Sequence, residues 1–121
     1  MEAKRILTEK IYYVDKDILD TVKMYFDLID DKNWYQLYQN RIDKTFWRLD
    51  KWDKYQEQFF VQIEKHNSWL DFDDTKLRTE LLLKSRGISE KECIWSGCKK
   101  PALQGLAYCE NHAYKEMGIR K

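Results

Sequence analysis

The chain has 121 residues, of which 43% are hydrophobic and 36% are charged, and its formal net charge is +1 at pH 7. This length fits one domain, or one domain with a small appendix. The near-neutral balance excludes a strongly basic protein of the histone type and an acidic disordered tail. No run of about eighteen apolar residues is present and the first residues lack the apolar segment of a secretion signal, so we expect a cytoplasmic protein without a membrane span.

Turn-forming residues are scarce, with four glycines and one proline. Such a composition favours long helices over a many-stranded β fold. We therefore expect a mainly α protein, in which a small helical bundle over residues 1–88 precedes a zinc-binding module over residues 89–121. That module should contain a zinc knuckle, a short ribbon and a helix.

In chain order, residues 1–14 suit an extended segment. The apolar residues that follow repeat at helical spacing and predict helices at about residues 17–30, 34–46 and 49–63, the last two being separate or continuous. A fourth helix is predicted over residues 76–86, because Leu77, Leu81 and Leu82 share one face. Gly87 then ends this helix, since glycine readily adopts the positive φ of a helix end.

All three cysteines and one of the two histidines lie in the last third of the chain. These residues are Cys93, Cys98, Cys109 and His112, with the spacing C-x4-C-x10-C-x2-H. Three thiolates and one imidazole complete the tetrahedral ligand set of a structural zinc ion. The sequence therefore predicts one structural Zn²⁺, with Gly97 supplying the tight turn before Cys98. The alternatives are buried cysteines or one disulfide with a free thiol, which the odd cysteine count and the CxxH ending disfavour.

The residues around the cysteines follow a wider pattern, C-x4-C…G-L-x-C-x2-H. The matching positions are Gly97, Cys98, Gly105, Leu106, Cys109, His112 and Tyr114, and the extra Ala107 departs from the pattern. This segment, about residues 91–118, resembles the short zinc fingers of phage and mobile-element proteins, sometimes found beside HNH nuclease domains, and some eukaryotic repeat fingers. The resemblance implies a nucleic-acid-associated module, although many such fingers are structural or bind proteins. The rest of the chain resembles no known family.

Catalysis is not expected. The four predicted ligands fill every position of a tetrahedral ion, whereas a catalytic zinc keeps one position open for water. Only His66 remains as a histidine for acid–base chemistry, and the sequence contains no phosphate-cradling glycine-rich loop and no nucleophilic pair. We therefore expect a non-enzymatic protein without a small-molecule substrate.

The charge distribution suggests how a nucleic acid would be bound. Residues 91–121 hold six basic and three acidic side chains, and a zinc ion with three thiolates reduces that balance of +3 to about +2. Lys99, Lys100 and Lys115 are the candidate phosphate contacts. The first functional hypothesis is thus an accessory protein, of phage or mobile-element type by resemblance, that engages nucleic acid or a nucleic-acid-processing complex.

The alternative hypothesis is a protein–protein adaptor or inhibitor in which zinc is purely structural. Trp95, Leu106 and Tyr108 are more apolar surface than so small a module can bury, and they are candidates for contact with a partner. Arg48 lies among aromatic residues, an arrangement typical of stacking or protein-binding surfaces. The same aromatics are better explained as core residues of the predicted bundle.

Overall fold

The computed structural model describes residues 7–54, 56–64 and 66–121. Over these residues the protein is mainly β, with seven strands in two antiparallel sheets and three α-helices. The predicted helical bundle is therefore wrong. The chain divides into two compact units, Met1–Asp73 and Asp74–Lys121, whereas the sequence analysis put the boundary at residue 88.

The first unit is a five-stranded antiparallel sheet with one helix. Its elements are β1 (Ile11–Tyr13), α1 (Lys16–Tyr25), β2 (Phe26–Lys32), β3 (Tyr35–Asn40), β4 (Phe46–Asp50), β5 (Phe59–Ile63) and a 3-10 segment (His66–Asp71). The strand order is β1-β5-β4-β3-β2. The extended segment predicted over residues 1–14 is present at β1, and its residues 1–6 lie outside the described part. The Asp15 carboxylate caps α1 by accepting the Ile18 N–H at 2.8 Å.

Both faces of this sheet are covered. On one face Ile18 and Val22 of α1 pack in a cluster with Trp47 and Phe60. The Trp47 and Phe60 rings are stacked with centroids 4.8 Å apart. On the other face, Trp69 of the 3-10 segment packs with residues of β3 and β5. The central strands therefore lie between two apolar layers.

This two-sided burial explains why the helical predictions for residues 34–63 fail. In β4, Trp47, Arg48 and Leu49 are consecutive and all buried, and in β5 Phe59, Phe60 and Val61 are likewise buried. A strand buried on both faces has no alternation of apolar and polar residues, so its aromatic side chains fall at helical spacings by coincidence. The aromatic and β-branched composition of these segments was the better guide. The helix predicted from residue 17 exists only to Tyr25, where β2 takes over.

The second unit contains α2 (Thr75–Arg86), β6 (Ile88–Glu92), β7 (Pro101–Leu103) and α3 (Glu110–Lys115). The helix predicted over residues 76–86 is present as α2, and Gly87 ends it with a φ of 77°. Strands β6 and β7 form an antiparallel ribbon. The apolar cluster of this unit comprises the buried residues Leu82, Leu103, Ala113 and Tyr114. Among the described residues, no helix has the length and apolar character needed to cross a membrane.

We expect Phe60→Ala to destabilise the first unit severely, because the Phe60 side chain is 0% exposed and its removal leaves a cavity beside Trp47. The expected loss is about 3–5 kcal/mol of unfolding free energy. Leu28→Ala, at a position that is 52% exposed, is the control and should cost less than about 1 kcal/mol. Urea unfolding followed by circular dichroism measures both variants, and equal losses would contradict the described core.

Candidate metal centre

The three cysteines and His112 converge within the second unit. Cys93 directly follows β6, Cys98 follows the turn that contains Gly97, and Cys109 is the N-terminal cap of α3, one turn before His112. Their four potential ligand atoms all lie within 4.8 Å of one another. The three cysteines are free thiols, so the alternative of a disulfide is not what the structure contains. The cluster is able to hold one metal ion.

The individual distances fit a tetrahedral ion. Two sulfurs that each lie about 2.3 Å from one zinc ion at the tetrahedral angle are about 3.8 Å apart, and a sulfur and a nitrogen are about 3.5 Å apart. The Sγ atoms of Cys98 and Cys109 are 3.8 Å apart. The Nδ1 atom of His112 lies 3.4 Å from the Cys93 Sγ and 3.3 Å from the Cys109 Sγ. The donor set and these three distances are therefore compatible with one ion of zinc's size, with Nδ1 as the imidazole atom that faces the sulfurs.

Backbone hydrogen bonds shape the loops that carry the ligands. The Cys93 N–H donates to the Lys100 carbonyl and the Cys98 N–H to the Trp95 carbonyl, both at 2.9 Å. Gly97 has a φ of 80° within this turn, a conformation that favours glycine. The Ile94 N–H donates to the carbonyl of Ala107, also at 2.9 Å. Ala107, the residue that departs from the finger pattern, is thus part of the backbone that ties the two halves of the site.

Backbone N–H groups also act on the sulfurs. Burial raises the pKa of Cys93, but N–H groups of Cys109 and Trp95, with the side chains of His112 and Cys98, outweigh it and lower this pKa to about 7. At Cys98 the Lys100 N–H lowers the pKa. Burial and the two neighbouring thiols together raise it by more, so the pKa of Cys98 lies above its ordinary value. Donors aimed at a metal-bound sulfur are typical of the outer shell of a thiolate metal site.

Two of the predicted partner-binding aromatics form part of the centre itself. The Trp95 ring is stacked on the His112 imidazole, with centroids 4.8 Å apart and planes 13° apart. Tyr108 meets the Trp95 ring edge-on at a centroid distance of 6.5 Å. Trp95 therefore covers the imidazole, while keeping part of its own surface exposed.

The predicted phosphate contacts are only partly available. Lys99 and Lys115 are exposed. The Lys100 ammonium instead lies 2.5 Å from the Glu110 carboxylate, which together with weaker attraction to Cys98 and Cys109 raises its pKa. One of the three predicted phosphate contacts, Lys100, is therefore already paired within the unit.

Arg48 lies inside the first unit, where it is only 2% exposed. Its guanidinium is 4.4 Å from the centre of the Tyr35 ring, and its Nη1 donates to the carbonyls of Trp69 at 3.1 Å and Phe72 at 3.0 Å. The residue thus fastens the 3-10 segment and the residues after it to the sheet. Its side chain contributes to packing in this structure, not to a binding surface.

Sequence analysis missed the two most exposed of the large apolar side chains described. Trp34 is 70% exposed and Trp52 is 75% exposed. Both lie at the same end of the sheet in the first unit, because the Lys51 N–H donates to the Trp34 carbonyl at 2.8 Å. An ion pair of 2.6 Å between Lys51 and Asp31 holds the same region. No sequence signal separated these tryptophans from the buried aromatics around them, since all were assigned to helices.

Comparison of the chain with protein-family models, with curated proteins and with solved structures found no match. The arrangement of the four residues is compatible with a Cys3His metal site, and no family match supports the phage zinc-finger type.

We expect the full-length protein to bind one equivalent of zinc, because four ligands converge at tetrahedral spacing. Protons compete with the metal for thiolates, so affinity should fall as the pH is lowered, most clearly because Cys98 has a raised pKa. Metal analysis and competition with a chromophoric chelator at several pH values measure this. Cys109→Ser should lose most of the affinity, and a protein that remains metal-free in equimolar zinc would contradict the site.

We expect Arg48→Lys to destabilise the first unit. An ammonium cannot reproduce the planar contact with Tyr35 together with the two hydrogen bonds to the carbonyls of Trp69 and Phe72. The expected cost is about 2–4 kcal/mol in urea unfolding, given that buried acceptors lose their donor. Lys44→Ala, at an exposed position, is the control. An Arg48→Lys variant of unchanged stability would show that the guanidinium does not anchor this segment.

Proposed function

We propose that the protein is a non-enzymatic, zinc-stabilised binding protein whose partner is another protein, in the manner of an adaptor or inhibitor. The zinc ion would be structural, held by Cys93, Cys98, Cys109 and His112. Four protein ligands leave no position for a water molecule or substrate, which supports a structural role over a catalytic one. The unit is small and its apolar cluster is modest, so the ion would contribute directly to its folding free energy.

The exposed pair Trp34 and Trp52 is the observation that carries the choice of a protein partner. Tryptophan is enriched at the energetically dominant positions of protein interfaces, where it buries a large area at low entropic cost. Two such side chains, each at least 70% exposed, lie at one end of the same sheet, Trp34 in the turn before β3 and Trp52 two residues after β4. The hydrogen bond from the Lys51 N–H to the Trp34 carbonyl holds the two backbone segments together, which lowers the entropy lost on binding.

Nucleic-acid binding is a second candidate, supported by the charge of the second unit. Residues 74–121 hold ten basic and six acidic side chains, a balance of +4 that a zinc ion with three thiolates reduces to about +3. Lys99 and Lys115 are exposed basic residues of this unit near the metal centre. The accessory role in a phage or mobile element belongs to this candidate, through the resemblance of the finger. We rank it second because Lys100 is paired with Glu110.

The double variant Trp34→Ala, Trp52→Ala should lose the protein partner. Removing two dominant interface side chains is expected to lower affinity by roughly 30-fold or more. The zinc-loaded full-length protein and the variant are immobilised and incubated with lysate of the source cells, and retained proteins are quantified by mass spectrometry. Ile42→Ala, which removes an exposed apolar side chain at a different turn, is the matched control and should retain the same partner.

Titration of labelled duplex DNA and RNA with the same proteins decides between the two candidates. Binding with a steep dependence on salt, weakened by Lys99→Ala with Lys115→Ala and unaffected by the tryptophan changes, would support the nucleic-acid candidate. No specific retention of any protein by the wild type would count against the proposed function itself.

A further inference from the structure

We infer that the metal centre is also a peroxide-sensitive switch, in which Cys98 is oxidised first and Cys109 then forms a disulfide with it, releasing the metal. This inference rests on the zinc site of the proposed function. It assigns different roles to three cysteines that a purely structural site would treat alike.

Accessibility singles out Cys98 as the reacting group. Cys93 and Cys109 are buried, whereas Cys98 is partly exposed. Cys98 is therefore the most accessible of the three cysteines to an oxidant.

Cys109 is the resolving group because of its place beside Cys98. The two Sγ atoms are 3.8 Å apart, so a shift of less than about 2 Å brings them to disulfide distance. The Cys109 side chain is 0% exposed and cannot itself meet the oxidant first.

The chemistry needs only a hydroperoxide as oxidant. The Cys98 thiolate attacks one oxygen of hydrogen peroxide, the O–O bond breaks, and Cys98 becomes a sulfenic acid while hydroxide leaves. The Cys109 thiolate then attacks the sulfenic sulfur, forming the S–S bond and expelling a second hydroxide. The two thiolates lose two electrons, which the peroxide gains, and two protons from solvent convert the hydroxides to water. Only Cys93 and His112 would then remain to hold a zinc ion, so a bound ion would be released.

Tryptophan fluorescence should report the release of zinc. Trp95 is stacked on the His112 imidazole, so loss of the ion alters the environment of this indole. Cys109 also caps α3, and its carbonyl accepts the Ala113 N–H at 2.8 Å. A disulfide that displaces Cys109 should therefore also displace the first turn of that helix.

In the experiment, the zinc-loaded full-length protein is treated with increasing concentrations of hydrogen peroxide under anaerobic conditions. Released zinc is followed with a chromophoric chelator, thiols are counted, tryptophan fluorescence is recorded, and disulfides are located by peptide mapping without reduction. We expect one zinc released and two thiols lost per chain, a Cys98–Cys109 disulfide, and recovery after treatment with dithiothreitol and zinc. A disulfide that involves Cys93, or zinc release with all three cysteines oxidised beyond the disulfide, would overturn the inference.

Two ligand replacements form a matched pair, because histidine preserves a four-ligand site. Cys98→His should slow zinc release by roughly tenfold or more at equal peroxide, since the exposed thiolate is gone. Cys93→His should release zinc at nearly the wild-type rate, and equal slowing of the two variants would reject the assigned roles. The disulfide map of the wild type decides the question if either variant fails to bind zinc. A wild-type protein that never binds zinc would refute the proposed zinc site, whereas bound zinc that peroxide does not release would refute the switch alone.

Discussion

The second unit is arranged around three sulfurs and one imidazole nitrogen, which lie within 4.8 Å of one another and could hold a single metal ion. Its apolar cluster of Leu82, Leu103, Ala113 and Tyr114 is small, and a chain segment of this size rarely gains enough from burial to fold alone. Packing three thiols and an imidazole side by side would gain little without a metal, because a thiol is a weak hydrogen-bonding group. An ion converts this polar interior into the strongest set of bonds in the unit.

The first unit is stabilised in a different way. The sheet has α1 on one face and the 3-10 segment on the other, so its central strands gain apolar contacts on both sides. Arg48 is the one buried cation of this arrangement among the described residues. Its hydrogen bonds to Trp69 and Phe72 replace the water that those carbonyls would otherwise bind. A buried guanidinium here specifies where the covering segment lies, in addition to any stability that it supplies.

The sequence was informative where local chemistry decides the structure. Ligand identity and spacing predicted which four residues meet, because zinc accepts few donor types and the loops between them are short. Gly87 predicted the end of α2, since that position needs a positive φ. The sheet was not predictable in the same way. Strand pairing is non-local, and a strand with both faces buried shows no alternation in its sequence.

The exposure of side chains was harder still to predict than the strands. Trp47 and Trp52 are five positions apart in one aromatic segment, yet Trp47 is buried against Phe60 while Trp52 is exposed. The difference arises only because β4 ends at Asp50, which places Trp52 past the edge of the core. Composition and periodicity contain no information about that end point. A surface candidate such as Trp34 or Trp52 thus becomes visible only once the register of the sheet is known.

The arrangement around the metal centre is also uneven in a way that a purely structural role does not require. Trp95 covers the imidazole of His112 and both Cys93 and Cys109 are buried, but Cys98 is only partly buried. A site selected only for stability gains from burying every thiolate, since exposure lets oxidants and competing chelators reach the ion. Leaving one sulfur accessible beside a buried second one instead lowers the barrier to a two-electron oxidation that removes two of the four ligands together. The difference in burial between Cys98 and the other two cysteines is therefore the physical reason to infer a centre that responds to oxidants in addition to stabilising the fold.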